Sequence, residues 1–274
     1  MLQNLRQLTR YRALIQTLVA RELKARYRGS VLGFFWSFIN PLLLLLIYSF
    51  VFTYLMPPAR IEGFPDPYPL FLFCGILPWT WFSASLNEAS GSLISNGNLI
   101  KKVLFPAEVL PIVSVLANMV HFFMGLPILI AFLGYYEFFG EAGKISLHPA
   151  ELIWFPVVVL VQLLMTTAFA LVLSALSVHF RDIRDILSNV LTLWFFATPI
   201  IYPWFGDQIK PFRKYLNLNP FTHLAVSYQE ILFFPENAFG HWASLLLLGL
   251  CSAVFFLFAY WLFDRLRDSF AEVV

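Results

Sequence analysis

A basic segment that runs directly into a long apolar stretch constrains this chain more than any other feature. Residues 21–30 carry Arg21, Lys24, Arg26 and Arg28, and residues 31–56 that follow are almost entirely apolar. A bilayer core of roughly 30 Å needs about 20 apolar residues in a helix. The junction therefore predicts a first membrane-spanning helix whose basic end lies at a phosphate-rich membrane surface.

The composition is that of a membrane protein. Hydrophobic residues make up 59% of the 274 residues and charged residues only 12%, whereas about a quarter of the residues in a soluble domain are charged. Cys74 and Cys251 both lie in apolar runs, so neither a disulfide framework nor a zinc site is expected. No cleavable signal peptide is expected, because no short apolar segment with a small-residue cleavage site occurs at the N-terminus.

Six apolar segments predict an all-α polytopic membrane domain with six transmembrane helices. The second crossing begins near Leu70, and its second half is polar, so that face must pack against protein, line a cavity or emerge into the cytoplasm. The other expected crossings are residues 31–56, 108–133, 152–178, 187–202 and 241–263. Two semi-apolar pieces, residues 211–218 and 221–234, are too short to cross, and they predict short re-entrant or gate helices between the fifth and sixth crossings.

The N-terminal segment predicts an amphipathic helix on the membrane surface, because apolar and basic residues alternate at helical spacing over residues 8–27. A single transmembrane domain, residues 1–274, then comprises an interface helix at residues 1–30, a membrane domain at 31–263 and a cytoplasmic tail at 264–274. Six crossings put both termini on one side of the membrane. Thirteen of the 18 basic residues fall on that side, which places the termini in the cytoplasm.

The sequence contains no nucleotide-binding motif, because neither G-x-x-x-x-G-K-[ST] nor G-x-G-x-x-G after a strand occurs. The H-E-x-x-H and G-x-S-x-G patterns of hydrolases are also absent. Any ATP-driven work must therefore be done by another chain. Glu88, His121 and His179 are isolated ionisable residues. We interpret Glu88 as solvated or serine-paired, His121 as bonded to a neighbouring helix and His179 as solvated, since proton carriers show several such groups facing each other.

Residues 179–186, HFRDIRDI, predict a short helix with one polar and one apolar side. Arg181 and Asp185 are spaced for an i,i+4 pair, and Asp182 favours a helix start. Two interpretations stay open. The helix docks into a groove of a cytoplasmic partner, or it is a solvated turn that carries positive-inside charges.

Aromatic side chains make up 18% of the chain. Most are expected to face lipid or to form interfacial belts. Some could line a path for an amphipathic substrate, because aromatic rings offer flat apolar faces with polar edges that suit sugar rings better than bare ions. The candidate pore-lining residues are Phe34, Trp36, Tyr48, Trp79, Phe195, Phe196 and Tyr202.

Four separated motifs resemble the membrane (permease) subunit of ABC-2-type exporters of cell-surface polysaccharides. This group includes the O-antigen, capsule and teichoic acid transporters. The motifs are RELKARYRGSVLGFFWSFINP at residues 21–41, GILPW and SNGNLIKKVLFPAEVLP within 75–111, ALSVHFRDIRDI at 175–186, and TPIIYP with LNPF within 198–221. They follow the order found in the family and span most of the chain.

The resemblance implies a homodimer of this chain with two cytoplasmic ABC ATPase subunits. ATP and Mg²⁺ would bind to those partners, so this chain is expected to bind no cofactor or metal and to be a transport subunit, not an enzyme. The implied ATPase-coupling residues are Arg21, Glu22, Lys24, Arg26, Lys101, Lys102, Phe105, Arg181, Asp182, Arg184 and Asp185.

The resemblance also implies a channel at the dimer interface, lined by the first and fifth crossings. Pro199, Pro220, Phe221 and Glu230 are the candidate residues of an outer gate. The substrate would be a lipid-linked glycan that leaves the cytoplasmic leaflet of the bacterial inner membrane. Membrane lipids are further expected partners, and nucleic acid is not.

Two alternatives stay open. An ABC-2 exporter of drugs or lipids would respond to small amphiphiles, whereas a glycan channel would accept chains of many lengths. A polytopic lipid or sugar transferase would need a cluster of acids or histidines at one membrane face. The acidic pairs at 182/185 and 264/268 are instead helix-spaced and flanked by arginines. The basic residues at 21–28 suit either phospholipid binding or attraction of a substrate pyrophosphate.

Overall fold

The computed structural model describes residues 11–55, 65–102, 106–139, 149–180, 182–234 and 239–273. This part of the chain is helical and contains no β-strand, as the all-α prediction requires. Its helices are α1 (Arg12–Arg26), α2 (Trp36–Phe50), α3 (Tyr68–Ser95), α4 (Gly97–Lys102), α5 (Val109–Phe139), α6 (Pro149–Leu152), α7 (Phe155–His179), α8 (Ile183–Phe196), α9 (Arg213–Leu216), α10 (Pro220–Leu232) and α11 (Trp242–Val273).

Within the described ranges, five helical segments are long and apolar enough to cross a membrane. They are Gly33–Leu55, Tyr68–Ser95, Val109–Phe139, Phe155–His179 and Trp242–Arg267. The first joins α2 to a 3₁₀ turn before it and a π-helical turn after it. These segments match the predicted first, second, third, fourth and sixth crossings, so the multi-pass membrane prediction is confirmed.

The predicted fifth crossing, residues 187–202, does not form a helix of spanning length. α8 has 14 residues, which corresponds to about 21 Å, and residues 197–202 continue without helix. Two side chains donate hydrogen bonds to backbone carbonyls that would otherwise accept from N–H groups of a longer helix. Asn219 Nδ2 donates to the Ala197 oxygen at 3.0 Å, and Gln229 Nε2 donates to the Pro199 oxygen at 3.0 Å. Six crossings are therefore not confirmed by helix length.

α3 is the centre of the bundle. In its most apolar stretch 83% of the residues are buried, compared with 6% in the segment that contains α2. α5, α7 and α10 pack against α3, and α11 packs against α7. α2 lies at the side of the bundle with Leu43, Ile47 and Phe50 exposed, so this surface faces lipid or another chain.

Three serines in the polar half of α3 are buried, which agrees with packing against protein, one of the three expected arrangements. Ser85, Ser90 and Ser92 are all buried. Their hydroxyls donate to backbone oxygens three or four residues earlier in the same helix, at 2.6–2.8 Å. Because each hydroxyl has a partner within its own helix, these residues can lie between helices without water.

α1 packs against the beginning of α5. Leu18 is buried, and Leu14, Ile15 and Val19 contact the same apolar cluster, which contains Val109 and Val113. Protein therefore covers much of the apolar side of this helix. The first part of the expected helix, residues 8–10, lies outside the described residues, and its position on a membrane surface stays a prediction.

α11 continues beyond the predicted sixth crossing, since the expected tail is helical as far as Val273. Its last turns meet α4, the beginning of α5 and the end of α7 at one end of the bundle. α1 packs on the beginning of α5 at the same end. We call this the basic end, because it carries Arg26, Lys101 and Arg267. The distribution of basic residues along the sequence predicts that the basic end faces the cytoplasm.

Candidate functional site

A cleft of about 530 Å³ lies near the basic end, between α1, α2, α3 and α5. It is lined by Arg26, Tyr27, Trp36, Ser37, Asn40, Pro41, Leu44, Leu77, Thr80, Trp81, Ala84, Asn118, His121 and Phe122. The lining combines aromatic faces with amide and hydroxyl groups. One residue predicted to line a substrate path, Trp36, and one predicted coupling residue, Arg26, are both part of it.

Three polar side chains from three helices close the cleft at the basic end. Arg26 of α1 pairs with Glu88 of α3, and its Nη1 donates to Asn118 Oδ1 of α5 at 3.0 Å. Asn118 Nδ2 donates to Glu88 Oε2 at 2.6 Å. The Arg26 and Glu88 side chains are 21% and 35% exposed, so water screens the pair less than it screens a surface ion pair. We call these three residues the Glu88 network, and it joins α1 to the membrane helices.

A second set of polar contacts lies beside the Glu88 network. The Tyr27 hydroxyl is 2.8 Å from Ser37 Oγ and 3.4 Å from His121 Nδ1. His121 is thus bonded to a neighbouring element, as the sequence analysis interpreted it. Its Nε2 is buried without a hydrogen-bond partner in the described part of the chain. One ring nitrogen of a cleft residue is therefore left to bond a ligand or water.

The cleft can bind a group that is both hydroxyl-rich and partly apolar. Amides and hydroxyls such as those of Asn40 and Thr80 can bond sugar hydroxyls, and the ring of Trp36 can pack on the apolar face of a sugar. Among the residues that the structure describes, no group of three or more His, Cys, Asp or Glu side chains could hold a metal ion. The arrangement therefore favours binding of an amphipathic molecule.

A second, more polar cleft of about 390 Å³ lies at the basic end, and Glu88 lines it too. Glu22 of α1 and Arg184 of α8 also line this cleft. The Arg184 guanidinium lies directly over Gly91 of α3, where a Cβ atom would overlap its Nη2. The structure thus brings together Glu22, Arg26 and Arg184, which are predicted coupling residues from two separate motifs.

The other predicted coupling residues are not gathered in this cleft. Arg21, Lys24 and Lys101 are exposed at the basic end, and Asp182 and Asp185 are exposed at the beginning of α8. Lys102 is the last residue of α4. Phe105 and Arg181 lie outside the described residues. Contact of these residues with an ATPase stays a prediction.

Two of the predicted pore-lining aromatics pack inside the single chain. Trp79 is 6% exposed, and its ring centroid lies 4.9 Å from that of Phe221 and 5.7 Å from that of Phe195. Phe34 and Phe196 are exposed, and Tyr48 and Tyr202 are half-buried. Their role in a pore stays a prediction.

The predicted gate residues lie on or beside α10, which Asn219 holds against α8. The Asn219 side chain caps α10 by accepting from the Phe221 N–H at 3.0 Å. The same oxygen accepts from Trp194 Nε1 at 2.6 Å, and Nδ2 donates to Thr198 Oγ1 at 2.9 Å. Pro220 takes the first position of the helix, where its missing N–H costs nothing.

Glu230 joins the end of α10 to the beginning of α11. Its Oε2 accepts from the N–H groups of Gly240 and His241, both at 3.1 Å, and its Oε1 lies 3.5 Å from His241 Nδ1. The His223 ring lies 5.7 Å from the His241 ring. Burial lowers the pKa of His223 below its ordinary 6.5, and the neighbouring His241 lowers it further.

Sequence reasoning did not single out Asn118, Gly91 or Asn219. The LNPF motif held a usable signal for Asn219, because Asn followed by Pro is a common way to begin a helix. Gly91 lies between two serines in a long helix, a pattern that permits close approach of another element. Asn118 gave no such signal, since it is one polar residue in a long apolar run.

Comparisons with known proteins agree on one family. Residues 13–233 match the family described as ABC-2 type transporter. The chain is similar to an O-antigen export system permease protein of Myxococcus xanthus, with 41% identity over the full length of both chains. A permease of the same description from Klebsiella pneumoniae is 31% identical over 95% of each chain. The polysialic acid transport protein of Escherichia coli is 23% identical over 77% of each.

Proposed function

Because the chain belongs to the ABC-2 type transporter family, we propose that it is the membrane-spanning permease subunit of an exporter that carries a cell-surface polysaccharide. The observation that carries the proposal is the 41% identity to an O-antigen export permease over the full length of both chains. Five apolar helices of spanning length agree with a transport subunit. The chain therefore supplies the path across the membrane.

A separate ABC ATPase supplies the energy, in two copies that bind two copies of this chain at its cytoplasmic side. The absence of a nucleotide-binding motif in the sequence supports a separate ATPase. Exposed Arg21, Lys24 and Lys101 at the basic end are accessible to a cytoplasmic protein. The excess of basic residues on the side of both termini supports cytoplasmic termini in a bacterial inner membrane.

The fifth crossing consists of α8 and the non-helical residues 197–202, and α10 is a re-entrant helix. Phe221 at the beginning of α10 lies 4.9 Å from Phe82, near the middle of α3. Phe233, just after its end, lies 5.7 Å from Phe71, near the beginning of α3. α10 therefore runs between the middle of the bundle and the end opposite the basic end. Backbone of this kind is tolerated at membrane depth where protein surrounds it.

The substrate is a lipid-linked glycan, and the 530 Å³ cleft binds its sugar–phosphate head. The aromatic and amide lining supports a sugar ligand, and Arg26 lies where an anionic phosphate would be attracted. A lipid tail could remain in the bilayer beside α2, whose outer surface is apolar and exposed.

The test is export in a strain that lacks the gene and is complemented with variants. Trp36→Ala removes an aromatic face from the cleft, and Trp242→Ala is the matched control, because Trp242 is exposed at the opposite end of the bundle. We expect Trp36→Ala to lower surface polysaccharide about tenfold, the effect of roughly 1.4 kcal/mol of lost binding, with glycan accumulating inside the cell. Equal export by both variants at equal membrane levels would contradict the proposed role of the cleft.

A further inference from the structure

The last turns of α11 form a second apolar core at the basic end. Phe270 is fully buried, and its ring centroid lies 5.2 Å from that of Phe263 and 6.2 Å from that of His179. Leu93 of α3 and Ala107, just before α5, belong to the same cluster. The cluster therefore joins the end of the last helix to three other elements.

A buried ion pair accompanies this core. Glu108 is 3% exposed, and its Oε2 lies 3.8 Å from Arg267 Nη1. The Tyr260 side chain lies beside the same carboxylate. A buried carboxylate is unfavourable without a cation, so Arg267 and Glu108 hold the end of α11 against the beginning of α5.

The same helix end contacts two segments that carry predicted coupling residues. Ile100 of α4, beside Lys101, packs against the apolar cluster of Phe270. His179, whose ring meets Phe270, ends α7 three residues before Asp182. The end of α11 thus packs against both segments from inside the bundle.

We propose that Phe270, Arg267 and Glu108 form a C-terminal brace that fixes α4 and the end of α7 relative to the membrane helices. Arg267 and Glu108 are then positioning residues for transport. This inference rests on the proposed function, because it assumes that an ATPase pushes on these segments. Movement of a surface segment reaches the membrane helices only if the segment is rigidly packed on them. Loosening the brace therefore lowers export while ATP hydrolysis continues.

The experiment compares Arg267→Met with Arg265→Met in the complete complex. Arg265 is a matched control, because it is exposed on the same helix and its guanidinium lies over Trp261 at 5.7 Å, away from Glu108. Surface polysaccharide is measured in cells at equal permease levels. Hydrolysis of MgATP and the amount of bound ATPase are measured on the purified complex in nanodiscs.

We expect Arg267→Met to lower export at least about fivefold, the smallest usual coupling effect, with hydrolysis and bound ATPase close to wild type. Arg267→Lys should restore most of the export, because it restores the cation. Glu108→Gln should give the same uncoupling at unchanged side-chain size, and it serves as the deciding variant if Arg267→Met does not reach the membrane.

Two results would overturn the brace. Arg267→Met and Arg265→Met could export equally, or export and bound ATPase could fall together, which would assign Arg267 to assembly. A wild-type chain that binds no ABC ATPase would instead remove the proposed function itself. The two failures are therefore distinguishable.

Discussion

The Glu88 side chain connects α3 to both α1 and α5. Sequence reasoning interpreted it as a solvated or serine-paired carboxylate near the end of a crossing. The structure pairs it with Arg26, which is 62 positions away in the sequence, and with Asn118, 30 positions away. The polar character of this part of α3 was predictable. The partners were not, because no local spacing relates three residues on three helices.

Removing the Glu88 charge should destabilise the protein. Glu88→Gln leaves Arg26 without its carboxylate, and the partial exposure of both groups limits the loss to about 1–2 kcal/mol. Thermal unfolding of the purified protein in detergent measures this loss. Glu137→Gln, at an exposed position of α5, is the control and should unfold like the wild type. An unchanged midpoint for Glu88→Gln would contradict a structural role for the network.

Gly91 is the second residue, because the Arg184 guanidinium lies directly over it. Gly91→Ala should displace Arg184, because the new Cβ atom would overlap the guanidinium. We expect export to fall by about fivefold or more if this contact helps to couple α8 to α3. Gly134→Ala, which has open space around it, is the control. The double change Gly91→Ala with Arg184→Ala removes the overlap but also the contact, and it should not restore export. Full activity of Gly91→Ala would show that the contact is dispensable.

His223 makes the stability of the outer contacts depend on pH. Its folded-state pKa lies below the ordinary 6.5, so the folded protein binds this proton less well than the unfolded chain. Stability is therefore unaffected above pH 6.5 and falls as the pH drops through 6.5 towards the folded pKa. His223→Gln, which still can donate to the Asn217 oxygen, should lose less stability between pH 7.5 and 5.5, by about 2 °C in Tm. Identical pH profiles would count against this assignment.

At the scale of secondary-structure elements, the length of each apolar segment predicted the spanning helices well. It failed at residues 197–202, where side chains bond backbone carbonyls in place of the N–H groups of a helix. Residues 187–202 read as one crossing because their hydropathy is continuous. The helix ends at Phe196, because Pro199 follows and because Asn219 and Gln229 bond the carbonyls of residues 197 and 199. These partners lie 22 and 30 positions later in the sequence, beyond any window of local pattern.

Asn219 is the residue that should matter most to the packing of α10. Asn219→Ala removes the helix cap and leaves the Trp194 N–H unpaired, with an expected loss of about 2–3 kcal/mol. Asn219→Asp keeps the acceptor for Phe221 and Trp194 but loses the donor to Ala197 and Thr198, so its loss should be smaller. Unfolding midpoints of the two variants provide the measurement. An Asp variant at least as unstable as the Ala variant would show that the cap is not the main contribution.

The end of α11 illustrates a second limit of sequence pattern. The charged residues 264–274 read as a solvated tail, yet the helix continues and buries Phe270. Leu266 and Phe270 are spaced four residues apart among charged residues, but so short a segment gives only a weak periodic signal. The burial of Phe270 depends on Phe263, two turns earlier in the same helix, and on His179 at the end of α7.

For the whole molecule, the sequence established more of the function than of the site. Four motifs in family order were enough to identify a permease-like chain, and the apolar stretch after the basic residues 21–28 was correctly identified as the first crossing. The clefts at the basic end were not predictable, because each is enclosed by residues from at least three helices. Arg26 and Arg184 were chosen for an external partner. Both lie against α3 in the single chain, and their contact with an ATPase stays a prediction.

The single chain also leaves apolar side chains exposed that lipid or another chain must cover. Ile47 and Phe50 of α2, and Val190 and Leu193 of α8, are exposed. Lipid alone could cover these side chains, and so could a second copy of the chain. The proposed homodimer puts the exposed faces of α2 and α8 at a shared channel, which is where the resemblance places the first and fifth crossings.

The most direct test of the account is to isolate this chain gently from its own membrane and to quantify every protein that accompanies it. A cross-linker added to the intact membrane before solubilisation preserves weak assemblies. The account predicts an ABC ATPase at close to one copy per copy of this chain. Recovery of the chain without any ABC ATPase, in the cross-linked sample as well as in the untreated one, would contradict it.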